Sequence, residues 1–199
     1  MGTIKYLIAP DYEHHIFLTP WHKEYPEAKV IGPEGLDDKK KKEDIKFDVI
    51  YTKANKDTQK VDAEFDQEFD VEYVPGHANK ELAFNYKREK TLIEADILFN
   101  LPAIEQYSKS DDNPHKGFLS GIFNGIFNTT GSSLAHRRAL WYGVVKDKSS
   151  FNQSMAKIDS WNFDRIIPCH GDVIETGGKG IFRHVMKWHL EAYEASRSK

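Results

Sequence analysis

Four short apolar runs in this chain end on residues able to bind a metal. Tyr6-Leu7-Ile8-Ala9 breaks at Pro10 and leads to His14-His15. Val71-Glu72-Tyr73-Val74 exits through Pro75-Gly76-His77. Thr91-Leu92-Ile93-Glu94-Ala95 ends on Asp96, and Arg165-Ile166-Ile167-Pro168 delivers Cys169-His170-Gly171-Asp172. Imidazole nitrogens and carboxylate oxygens suit Zn²⁺ and Fe²⁺. Buried strands that repeatedly deliver such groups at their exits are most economically explained if those ends converge on one ion. A metal with an open position lowers the pKa of bound water to about 7 and polarises a carbonyl or phosphoryl oxygen, so hydrolysis is the chemistry to expect.

Each residue also has a plainer reading. His77 can be a turn residue after Pro-Gly, Asp96 can cap the segment that follows it, and His170 alone carries little information. Adjacent residues on a strand point to opposite faces, so His14 and His15 can share an ion only because Pro10 takes the backbone out of the extended state. Their joint occurrence at four strand exits is what favours the shared metal. His22, His115, His136, His184 and His189 fall off the pattern and are expected on the surface or on helix faces. Cys169 is expected to be a small buried residue and not a soft ligand or a reactive thiol.

The elements that must position these groups read as an α/β chain. Ile4 to Ala9 is a strand closed by Pro10. Thr19-Pro20 reads as an N-cap and first helical position, with Trp21 and Tyr25 on one face, and Ala28 to Leu36 as a strand and turn. Phe47 to Tyr51 is the next strand, beyond a lysine-rich connection whose Lys39 to Lys42, flanked by acids, reads as a solvated loop. Residues 69 to 96 alternate as a three-stranded antiparallel meander. The near-duplicated Gly121-Ile122-Phe123-Asn124 and Gly125-Ile126-Phe127-Asn128 is too brief for a repeat architecture and reads as a lid or packing segment. A helix capped by Ser149 or Ser150 presents Phe151, Met155, Ile158 and Trp161, and a second, after Gly177-Gly178, presents Ile181 to Tyr193.

The chain of 199 residues is the size of one domain, and 39% hydrophobic residues suffice for a packed core. The 30% charged fraction and the lack of any run approaching the ~20 apolar residues of a membrane span argue for no membrane. The scattered basic residues and formal charge of −3 argue for no nucleic acid. A single cysteine and no signal-like start favour the cytoplasm.

In this order the motifs resemble the metallo-β-lactamase fold superfamily of metal-dependent hydrolases. That family carries Thr-His-x-His-x-Asp-His after a strand, then Pro-Gly-His, a Gly-Asp after a Leu-rich strand, and a late His. Laid on this chain, the motifs fall on Ala9 to His15, Pro75-Gly76-His77, Ala95-Asp96 and His170-Gly171. The resemblance covers most of the chain and implies a single αββα domain with the metal at one edge between two sheets. It also implies two or three strands before the first motif. Only a few residues stand there, so those strands are expected to be missing, and an uncovered edge would favour a homodimer.

The departures bear on chemistry. The family's first two histidines are Pro10 and Tyr12 here, and its aspartate is His14, which is similar to an uncharacterised branch of the superfamily. The resemblance then implies that one of two metals is lost. His14, His15, Asp96 and His170 are left to hold one divalent metal, Zn²⁺ ahead of Fe²⁺. It further implies that Asp96 orients the attacking water, with His77 as general base or oxyanion donor and Tyr12 as a further donor. The substrate would be a small ester, lactone, thioester or phosphoester. The alternative is a non-catalytic metal-binding or interaction protein, and a mononuclear iron oxidase is a third reading.

Overall fold

The computed structural model describes residues 2–114 and 116–198, so the expectation for His115 lies outside the described residues. The first half comprises β1 (Tyr6–Ile8), α1 (Leu18–Glu24), β2 (Lys29–Pro33), α2 (Leu36–Lys39) and β3 (Val49–Tyr51), with the strands parallel in the order β1-β2-β3. Side chains alternate along a strand. Leu7, Ala9 and Val30 therefore turn one way and pack with Leu18, Ala28 and Leu36, while Tyr6, Ile8, Ile31, Val49 and Tyr51 turn the other way.

The second half opens with α3 (Ala63–Glu68), where the Asp62 carboxylate accepts from the Phe65 N–H. It continues through β4 (Phe69–Val74), β5 (Glu81–Tyr86) and β6 (Thr91–Ile93), an antiparallel meander as the alternation predicts. After α4 (Ile104–Tyr107), α5 (Phe118–Ile126), α6 (Leu134–Ala139), a π-helical turn at Leu140–Val144 and α7 (Lys148–Ser160), the chain returns as β7 (Arg165–Ile167) beside β6. It ends in α8 (Gly178–Val185) and α9 (Lys187–Arg197). Tyr73, Leu82 and Phe84 face the first sheet, whereas Val74, Ala83, Leu92 and Ile166 pack under Phe151, Met155 and Phe182. The result is helix, sheet, sheet, helix. Within the described residues β1 is the outer strand of its sheet.

Several local readings shift. α1 begins at Leu18 with Phe17 as its cap, and Trp21 still stacks on Tyr25 at 5.6 Å. α2 and α3 fall in stretches read as polar connection and strand, because two-turn helices leave little periodicity to read. Asp147, not Ser149 or Ser150, caps α7 by accepting from the Ser150 N–H at 3.1 Å. The C-terminal stripe divides at Met186 into α8 and α9. Lys40 is no solvated loop residue: it is 2% exposed, and its Nζ meets Glu43 at 2.7 Å and Thr19 at 3.3 Å. The flanking acid offsets a charge that burial would otherwise penalise.

Candidate metal centre

The first motif is built around Asp11, which is fully buried. The chain leaves β1 at Pro10, whose carbonyl accepts from the Leu82 N–H at 2.7 Å. Asp11 Oδ1 then accepts from the N–H groups of Glu13 and His14, both at 2.7 Å, and Oδ2 accepts from His14 Nδ1 at 2.7 Å. One carboxylate thus closes the turn and fixes the ring. With Nδ1 donating, the lone pair of a neutral His14 is on Nε2.

Asp96 is held from two sides. Glu81, buried at the start of β5, accepts from the N–H groups of Ala95 and Asp96 at 2.6 and 2.8 Å. Asn79 Nδ2 donates to Asp96 Oδ2 at 2.6 Å. The other oxygen, Oδ1, is buried with no hydrogen-bond partner, although His170 Nε2 lies 3.1 Å away. At that separation the two atoms are close yet misaligned for a hydrogen bond, as donors aimed at a common third atom would be.

His170 is positioned by the chain after β7. Its carbonyl accepts from the Asn100 N–H at 3.0 Å, and Asn100 in turn accepts from the Asp172 N–H at 3.1 Å. Between them Gly171 has φ +110°, and a Cβ there would lie 2.0 Å from the Asn100 carbonyl oxygen, so only glycine fits. The ring packs on Phe99 at 4.8 Å. Gly76 plays the same part for His77, since a Cβ would lie 2.5 Å from the Asp147 carbonyl oxygen. His77 is buried, its Nδ1 accepts from the Asn79 N–H at 3.2 Å, and its Nε2 has no partner.

These elements bring His14 Nε2 and His170 Nε2 to 3.2 Å. Donor atoms of His14, Cys169 and His170 lie within 4.8 Å of one another, as do those of Asp11, His14 and Asp96. The surroundings are acidic: Asp11, Glu81, Glu94 and Asp96 stand together, and each contributes to holding the Cys169 thiol at about 11, after burial as the first cause. Burial, then the other acids, pushes Glu94 well above the usual carboxylate range, and burial does the same to Glu81. Burial raises Asp96 too, but His170, His14 and His77 outweigh it and the net direction is down. The Asp96 carboxylate raises His170, and burial lowers His77. His170 Nε2 lies 3.2 Å from His14 Nε2 and 3.1 Å from Asp96 Oδ1, and imidazoles with a carboxylate are donors that suit a divalent cation.

The remaining candidates have different surroundings. His15 is in neither donor group; its Nδ1 is buried without a partner, and burial, then Lys39 and Lys40, lower its pKa. The Tyr12 ring lies under Lys39 at 4.2 Å and Lys80 at 5.4 Å. Asp11, Asn79, Glu81 and Glu94 were not expected at the site. Asp11 and Asn79 each stand within three residues of a site histidine, and that proximity is the signal a sequence reader could have used. Cys169 is exposed, not buried. Two clefts reach the centre. One of about 460 Å³ is lined by His14, His15, Ile16 and Phe17. The other, about 640 Å³, is lined by Ser120, Phe123, Asn124 and His170.

No family model and no curated protein matches the sequence. Solved structures do match the fold. The crystal structure of VMB-1 at pH 5.5 aligns at 15% identity and TM-score 0.51 over 96% of this chain and 69% of that one. The metal-soaked flavodiiron core of Flv1 from Synechocystis sp. PCC6803 aligns at 14% identity and TM-score 0.59 over 94% of this chain and 43% of that one. The chain has the metallo-β-lactamase fold and spans 69% and 43% of the length of those two chains.

Proposed function

We propose that this protein is a mononuclear metal-dependent hydrolase acting on an ester, lactone, thioester or phosphoester. The supporting observation is the pair of short approaches made by His170 Nε2, 3.2 Å from His14 Nε2 and 3.1 Å from Asp96 Oδ1, a buried oxygen with no aligned hydrogen-bond donor. These three would hold one divalent metal, Zn²⁺ before Fe²⁺, and leave a coordination position for water or substrate. Bound there, the metal supplies Lewis acidity and lowers the pKa of water to about 7.

The chain's own residues do the rest. Asp11 keeps His14 in the tautomer whose Nε2 faces inward and raises its basicity as a ligand. Asn79 holds Asp96 Oδ2, which turns Oδ1 toward the histidines. His77 is kept neutral by burial; its Nδ1 accepts from Asn79, so its unpartnered Nε2 carries the proton and can donate to a developing oxyanion. Lys39 and Lys80 lie over the face of the Tyr12 ring, and its hydroxyl remains available as a further donor to the substrate.

Cys169 favours a second reading. Its Sγ is close enough to His14 and His170 to serve as a fourth ligand, and a closed tetrahedral site is structural. Elemental analysis of protein purified without added metal, with ester, lactone and phosphodiester assays of the parent and of His170→Ala, separates the two. One equivalent of metal with activity lost in the variant supports the hydrolase. Metal without activity supports the structural site, and activity indifferent to His170→Ala overturns the mechanism.

A further inference from the structure

We infer that Asn100 is a positioning residue for this centre: its carboxamide clamps the turn that carries His170 and ties that turn to the segment after α5. The purpose of the clamp rests on the reading of His170 as a metal donor. Its geometry does not.

The His170 side chain is 43% exposed, so burial alone does not fix it. It stands on a turn whose Gly171 has φ +110°, and such a turn must be held by its hydrogen bonds. Backbone pairing supplies two: the His170 carbonyl accepts from the Asn100 N–H, and the Asn100 carbonyl accepts from the Asp172 N–H. The Asn100 side chain adds a third, from Nδ2 to the Asp172 carbonyl at 2.8 Å. Asp172 is thus gripped at its N–H and at its carbonyl by one residue. On the far side of the amide, Oδ1 accepts from Thr129 Oγ1 at 2.7 Å. The next N–H, that of Leu101, donates to the Phe127 carbonyl at 3.0 Å. Because α5 lines the cleft that also holds His170, one side chain sets the donor against the cleft wall.

The chemistry of the group decides what can replace it. A backbone carbonyl only accepts, so an N–H must face Asp172, and the Thr129 hydroxyl donates to the oxygen that remains. An amide of this length meets both partners at once. Aspartate keeps the acceptor for Thr129 but sets a second oxygen against the Asp172 carbonyl, and leucine keeps neither bond. The backbone pairing, by contrast, survives both substitutions. Groups that orient a metal ligand from behind are worth roughly 10–100-fold in metal affinity, and the clamp is expected in that range.

The test is the zinc affinity of the full chain, read by competition with a chromogenic chelator. Asn100→Asp and Asn100→Leu should each bind about tenfold or more weakly at an unchanged thermal midpoint of the metal-free protein. An added carboxylate would by itself tighten a cation, so a loss in Asn100→Asp has to come from geometry. Thr129→Val, the milder change, should cost about threefold alone and nothing further on top of Asn100→Leu, where its partner is already gone. In metal-free protein with ¹³C-labelled histidine, the His170 ring signal should broaden or split in Asn100→Leu. That of His189, held by Asn152 at 2.7 Å, should not. Parent-like affinity in both Asn100 variants overturns the inference. So does a change in both ring signals, which marks general loosening. If the parent binds no zinc, the metal-centre reading fails and the rings decide alone: a change confined to His170 supports the clamp, and no change overturns it.

Discussion

The molecule places histidines in two different surroundings. His14 and His170 face each other and Asp96, with Asp11 behind. His136 and His189 lie under aromatic rings: His136 against Phe127 at 5.5 Å, His189 against Phe151 at 4.6 Å and Trp141 at 4.7 Å. The residue type is the same, but the charge around it is not. Carboxylate raises His170, while burial lowers His136 and His189 to about 4. Imidazoles beside buried acids are poised to share a cation, and imidazoles among aromatic rings are packing units. Both latter histidines were expected on the surface or on helix faces; both lie on helices, α6 and α9, with the side chain almost wholly buried.

Removing one donor should have the largest effect. Either His170→Ala or Asp96→Ala should reduce bound metal to under about a tenth of an equivalent and hydrolysis by about 10²-fold or more. His136→Phe should leave both unchanged. Equal loss in the two sets would erase the distinction between them. Gly171→Ala keeps every donor but moves one: its Cβ would meet the Asn100 carbonyl at 2.0 Å with φ +110°. We expect a loss of about 2–4 kcal/mol in urea unfolding, together with weakened metal binding.

Acid titration sharpens the contrast. Burial holds the folded pKa of His136 and His189 at about 4, below the ordinary histidine value of 6.5, so the unfolded chain takes up protons first. Stability contributed above pH 6.5 is lost as pH falls to about 4, by about 3 kcal/mol for each histidine. Urea midpoints between pH 7 and 4.5 should fall accordingly, less steeply in His136→Phe. In metal-free protein His170 should titrate on the opposite side of 6.5 from those two when followed by NMR, and its contribution to stability is lost as pH rises through its raised folded pKa. Asp11→Asn should weaken metal affinity by about 10–100-fold, read by competition with a chelator. The smallest effect is expected of Tyr12→Phe, under about threefold on kcat/KM, since Lys39 and Lys80 cover its ring. A hundredfold loss would place Tyr12 at the reacting centre.

Strand alternation was legible because it is local: residues 69 to 96 form the expected meander, whereas the need for glycine at 76 and 171 comes from carbonyls of Asp147 and Asn100 far along the chain. The ordered motifs likewise gave the αββα fold and named His14, Asp96 and His170. What local pattern could not give was direction. Whether His14 or His15 turns inward depends on which ring meets Asp11, and that carboxylate is fixed by a turn closed against β5. Whether a histidine is a donor or packing depends on neighbours brought from distant strands, as Asp96 is to His170 and Phe151 is to His189. Periodicity is set by bonds along the chain, whereas the field and burial that define a site are sums over groups the chain brings together only when folded.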